Sequence, residues 1–256
     1  MKLFKRIARA VLITAFWIAV WWLASWRVGK PLLFPSPAAV LERLIELMQT
    51  KAFYQITATS LWNVLVGILL ALVLGCALAI ATHKLKLLHQ LLFPLMTLIK
   101  ATPVASFIIL ALIWIGSAKV PTFITLLIVL PIVWSNLDTG LEKIDPQLIQ
   151  VTKVYKMPFI RRLRLLILPS VKPYFVSACR TSLGLAWKAG IAAEIIARPR
   201  NSIGTMIGDA KQYIMTEDMF AWTLTVILLS LVIELLFTAL LNKLFATRQG
   251  KEALSC

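Results

Sequence analysis

The chain has 256 residues, 60% of them hydrophobic and only 15% charged, with a mean hydropathy of +0.85. A water-soluble domain usually carries nearer 25% charge and under half apolar residues, so a single soluble globule is excluded and a bilayer is the solvent this composition requires. The net charge of +16 flanks apolar runs and forms no single basic stripe, which argues against nucleic acid and for cationic loops at a membrane surface.

In chain order, a basic start over 1–9 leads into an apolar run over 10–26. Ser25-Trp26-Arg27 is too bulky and charged for a signal cleavage site, so the run reads as a retained first span. Trp17, Trp21, Trp22 and Trp26 gather toward its outer end, as interfacial anchors do. Further spans are expected at 61–82, 91–115, 120–137, 173–197 and 219–241, each near the roughly 20 residues a helix needs to cross. The runs are continuous and do not alternate, which excludes a barrel. The expectation is an all-α membrane protein of six transmembrane helices, forming one transmembrane domain over 1–256.

Span 61–82 carries Gly67, Ala71, Gly75 and Ala79, a small-residue stripe for close helix approach. It serves either packing within the chain, or a dimer or translocation path. In span 91–115, Lys100-Ala101-Thr102-Pro103 places a proline that frees a carbonyl and loosens the helix. Span 120–137 is interrupted by Pro121 and Pro131. Sixteen lysines and arginines fall on the segments that lie inside if the N-terminus is cytoplasmic, and eight on the opposite segments, which puts both termini in the cytoplasm. Cys76, Cys179 and Cys256 form no metal or disulfide pattern.

The cytoplasmic segment 138–172 is too long for a turn. Asp145-Pro146 is an N-cap followed by proline at the first helical position, predicting a short helix over 146–155 that ends before Pro158. Leu148, Val151, Thr152 and Tyr155 recur at i, i+3, i+4 and i+7, an apolar-aromatic face that either packs on the rest of the chain or docks a partner. A second short helix, over 158–167 and stopping before Pro169, would set Arg161, Arg162 and Arg164 at the headgroup boundary.

Asp145-Pro146-Gln147-Leu148-Ile149-Gln150-Val151-Thr152-Lys153-Val154-Tyr155-Lys156-Met157, with Leu166-Ile167-Leu168-Pro169, resembles the EAA loop of binding-protein-dependent ABC importer permeases. Gln150-Val151-Thr152 stand at the E-A-A places, Lys156 at the glycine, Leu166 at the isoleucine and Leu168-Pro169 at the L-P pair. Leu33-Phe34-Pro35-Ser36-Pro37, Lys100-Ala101-Thr102-Pro103, Gly184-Leu185-Ala186-Trp187-Lys188, Ala193-Glu194 and Ser202-Ile203-Gly204 are similar to the nitrate, sulfonate and taurine group of that family. The resemblance implies a type I importer permease in a bacterial inner (plasma) membrane. It implies a second permease copy, cytoplasmic ABC ATPase subunits docked on the loop, and an extracytoplasmic solute-binding protein. It also implies that ATP is used by the partner ATPase. The chain lacks G-x-x-x-x-G-K-[ST], so no cofactor is expected on it, and no catalytic or metal residues.

Lys100, Thr102, Pro103, Arg180, Lys188, Glu194 and Glu234 lie within apolar segments, where a charge costs about 2.5–3.5 kcal/mol on insertion scales. They either pair structurally, for instance Glu234 with Lys100 or Lys188, or line a path for a small polar or anionic solute. Segment 199–216 reads as an outer gate, a binding-protein contact or a linker. A secondary, ion-coupled transporter is the alternative. An intramembrane hydrolase lacks its motifs, because His83 and His89 both fall in the first cytoplasmic loop and no G-x-S-x-G or HExxH occurs.

Overall fold

A computed structural model describes residues 2–245, and among them every regular element is helical. Eleven helices follow in chain order: α1 Lys2–Val28, α2 Pro37–Met48, α3 Lys51–Lys84, α4 Lys86–Ala101, α5 Val104–Ile115, α6 Val120–Glu142, α7 Pro146–Val154, α8 Phe159–Arg162, α9 Leu168–Ala197, α10 Ile203–Gln212 and α11 Thr216–Phe245, with a π-helical turn, Leu163–Ile167, between α8 and α9.

Among the described residues four helices, α1, α3, α6 and α11, are long and apolar enough to cross a membrane. A fifth crossing results if α4 and α5 form one broken span. The expected span over 91–115 is not one helix. It bends by 107° at Thr102-Pro103, because Pro103 cannot donate to the carbonyl four residues back, and α5 restarts behind it. The span expected at 173–197 falls within α9, a helix of 30 residues, but α9 is not among the helices apolar enough to cross.

The expected boundaries also move. At 34 residues α3 is about 51 Å long, against about 30 Å of hydrocarbon, so it starts ten residues before the anticipated span and stands out of the membrane. Thr50 caps that start, its side chain accepting from the Phe53 N–H. Helix α6 runs on to Glu142 and α9 begins at Leu168, so the non-spanning segment is 143–167, shorter than 138–172. Nor does the second loop helix stop before Pro169. The π turn widens the backbone, the Leu168 N–H reaches back to the Leu163 carbonyl, and the proline enters the first turn of α9 without a break.

The core is a seam of α3, α6 and α9. Gly67, Ala71, Gly75 and Ala79 are all buried within the chain, which assigns the small-residue stripe to packing against α6. A Cβ on Gly67 would stand 2.7 Å from the Thr122 carbonyl oxygen and from Thr125 Cβ. On α9, a Cβ on Gly190 would stand 2.5 Å from Val64 Cγ2. All three backbones therefore meet where side chains are smallest. By contrast the described side chains of α1 are exposed except at Trp21 and Ser25, where the helix is attached. Trp21 Nε1 donates to the Pro35 carbonyl (3.2 Å), Ser25 Oγ to the Phe34 carbonyl (3.0 Å), and the Trp21 ring stacks on Phe220.

Two short helices absent from the expectation, α2 and α10, belong to the segments assigned outside by charge. Ser36 caps α2 ahead of Pro37, and Val40 and Leu44 are buried. Arg43 Nε on α2 donates to Asp218 on α11 (2.7 Å), while its Nη1 donates to Glu46.

Candidate functional site

At the end assigned to the cytoplasm, Asp145 caps α7 by accepting from the Gln147 N–H (2.8 Å). Leu148, Gln150, Val151 and Tyr155 are exposed, with Tyr155 75% accessible. Thr152 departs from the expected face. It is buried, its hydroxyl donating to the Ile149 carbonyl. Val154, Phe159 and Ile160 extend the exposed apolar surface and were not singled out in the sequence, where they fall outside the i, i+4 register of α7.

Helix α7 closes on Lys156, whose φ is +47°. The Met157 N–H donates to the Thr152 carbonyl (2.9 Å) and the Lys156 N–H to the Lys153 carbonyl (3.0 Å), the paired bonds of a Schellman cap. Such a cap needs a left-handed residue and prefers glycine. The local backbone therefore gives the reason for glycine at this place of the EAA pattern, and here lysine adopts the same conformation.

Beneath this segment lies a cavity of ≈ 1560 Å³ between the inner ends of α3 and α6, the π turn, the first half of α9 and Leu241 of α11. Its walls are mostly aliphatic, from Ala79 and Ile80 through Leu137 and Leu163 to Val176. His83, Lys84, Lys172 and Arg180 also line it, and among the described residues no carboxylate does. Cations on low-dielectric walls focus a positive potential into such a space. Leu168 and Pro169 of the loop motif and Arg180 of the intramembrane set meet here.

The other intramembrane residues lie elsewhere. Lys188 is exposed, one helical face with Arg180 and Gly184 on α9. Lys100 sits just before the α4–α5 break and donates to Ser135 Oγ on α6 (3.0 Å), and the Thr102 hydroxyl donates to the Leu98 carbonyl beside Pro103. Glu234 is exposed on α11, and the described ion pairs do not join it to Lys100 or Lys188. Glu194 is wholly enclosed between α3, α9 and α10, away from the cavity. His89 lies on α4 and pairs with Asp138 of α6 (2.9 Å), its ring beside Trp134, which donates to Thr82 of α3 (3.1 Å). Among the described residues no group of three or more His, Cys, Asp or Glu is placed to hold a metal ion.

Residues 64–246 match the family described as the binding-protein-dependent transport system inner membrane component. The chain belongs to that family. It is accordingly a multi-pass inner-membrane transport permease component, all-α as expected. The taurine transport system permease protein of Escherichia coli is 26% identical over 248 residues, covering 94% of this chain and 90% of that protein. A putative aliphatic sulfonates transport permease protein of Bacillus subtilis is 26% identical over 217 residues, covering 83% and 78%. The nitrate import permease protein of Synechocystis is 26% identical over 258 residues, covering 96% and 92%. The recognised group is thus the one the short motifs indicated, and for this permease the matched region takes in α6, the loop and α9.

Proposed function

We propose that the chain is the permease subunit of an ATP-driven ABC importer for a small anionic solute, with both termini in the cytoplasm and a second permease copy completing the path. The observation that carries this reading is a mechanical continuity. The exposed face of Leu148, Val151 and Tyr155 is joined by the short capped turn over 155–158 to α8, which runs through the π turn without a break into α9, and α9 forms a wall of the cationic cavity. A partner gripping that face thereby grips the cavity wall.

In this reading a cytoplasmic ABC ATPase docks on α7 and its flanking Phe159 and Ile160. Nucleotide chemistry belongs to that partner, and this chain is not itself an enzyme. The cavity is the inner vestibule, with Lys172 and Arg180 on its wall and Lys188 further along the same helix. Lys100 lies at the broken span, where a loosened backbone suits a site that must rearrange. The relatives are named for taurine, aliphatic sulfonates, nitrate and bicarbonate, each of which carries an anionic group. That chemistry agrees with the cations that the described residues place on the vestibule wall. An extracytoplasmic binding protein would deliver the solute to the opposite face, where α2 and α10 lie.

Purification of the tagged chain tests the reading. Co-purification of an ATPase whose hydrolysis rises with solute and binding protein in liposomes supports it. Uptake driven by an ion gradient, with the chain alone, would overturn it in favour of a secondary transporter.

A further inference from the structure

Helix α10 is held on its seat by a buried polar junction. Its first two N–H groups have no partner within the helix. The Ile203 N–H donates to Ser60 Oγ of α3 (2.9 Å), and the Gly204 N–H donates to Glu194 Oε2 of α9 (3.0 Å). The Ser60 hydroxyl in turn donates to the same carboxylate oxygen (2.8 Å), so three helices share one contact. Glu194 and Ser60 are both fully buried. Gly204 lies so close to the Glu194 Cβ and the Ile195 N–H that no side chain fits between them. At its other end α10 is held by Arg198, which pairs with Asp209 and donates to Gln212. The helix therefore lies strapped across the ends of α3 and α9, at the far end of α9 from the cavity.

This junction differs from a permanent staple in one respect. Asn63 and Ser202 turn toward the same carboxylate, while its buried Oε1 has no hydrogen bond of good geometry from the described residues. A buried oxygen held this loosely is poorly compensated for its lost water. Release of the junction would let water reach it, which lowers the cost of leaving the seat.

Resting on the importer reading, we infer that Glu194 and Ser60 are the latch of an outer gate. They hold α10 shut over the path while the vestibule faces the cytoplasm, and α10 leaves this seat once in every transport cycle. Glu194 acts as a positioning residue: its carboxylate holds the gate and need not touch the solute.

Hydrogen exchange on the assembled complex in lipid tests the latch, read on the segment from Ile203 to Ile207. The resting complex should protect the Ile203 and Gly204 amides. A complex trapped with vanadate and binding protein, shown to be trapped by loss of hydrolysis, should exchange them at least ten-fold faster. Unchanged exchange in the trapped complex overturns the latch and leaves the importer reading standing. Glu194→Gln, which keeps the shape and removes the charge, should raise ATP hydrolysis without solute several-fold per folded complex. A purely structural glutamate would instead lower the yield and leave that rate unchanged, again overturning the latch. Should uptake prove gradient-driven, the importer reading falls, and the same exchange measurement under the gradient decides the gate by the same criterion.

Discussion

The α7 loop at one end of the molecule and α10 at the other solve opposite problems. At the end assigned inside, segment 143–167 leaves Leu148, Val154, Tyr155, Phe159 and Ile160 exposed and spends a left-handed lysine and a π turn on its shape. At the other end α2 also leaves Leu41, Ile45 and Met48 exposed, but α10 buries Ile203 and Ala210, and its first two amides are satisfied by side chains from distant helices. An apolar surface that its own chain leaves uncovered is built for something else to cover. A polar junction enclosed by the chain is built for the chain itself to hold and release. The contrast separates a surface for a partner from a device within the fold, and it holds only if the α3–α6–α9 seam between them is rigid.

The largest effect should come from breaking that seam. Gly67→Leu drives a side chain into the Thr122 carbonyl and Thr125 and should cost about 3 kcal/mol or more. Melting temperature and monodisperse yield should collapse together, and both ends should fail at once. A normal melting curve would show that the ends are independent of the seam.

Next in size, Leu148→Asp or Tyr155→Asp should reduce co-purified ATPase by about thirty-fold or more, the loss of one anchor in a buried contact. Membrane insertion and melting should not change, since both side chains are exposed. Full retention of the ATPase would remove α7 as the docking face.

Replacing cations inside the membrane should act more mildly. Arg180→Met, Lys188→Met and Lys100→Met should each lower uptake of an anionic solute by about ten-fold, the lower range for electrostatic focusing. Arg43→Ala, at the α2–α11 clasp, should change uptake little. Wild-type uptake at equal expression would take that cation out of the path.

The smallest effect sharpens the account of the loop. Lys156→Gly should relieve the left-handed backbone and stabilise the chain by about 1 kcal/mol, raising the melting temperature by about 2–4 °C. A lowered melting temperature would mean that the lysine side chain outweighs its backbone strain.

Much of this was legible from local sequence. The cap at Asp145-Pro146 and the helix behind it follow from residues within one turn of each other, whereas Pro103 signalled a loosened helix and not the full break that is observed. What hydropathy cannot give is where helices end once they leave the lipid, which is why α3 and α6 overran their spans. Helices α2 and α10 carried capping serines, Ser36 and Ser202, the same kind of signal as Asp145, but a search for long apolar runs passes over helices of 12 and 10 residues. Pro94 and Pro131 sit inside unbroken helices while Pro103 ends one, so the proline alone does not rank the sites. Nothing local signals the partners of Glu194, because Ser60 lies 134 positions away.

The π turn has a geometric consequence for both ends. It joins α8 to α9 without a break, and Glu194 lies about 39 Å from the first residue of α9. A tilt of about 10° of the α3–α6–α9 seam as one body would sweep that tip through about 7 Å. A small displacement delivered at the loop would then be magnified at the outer junction.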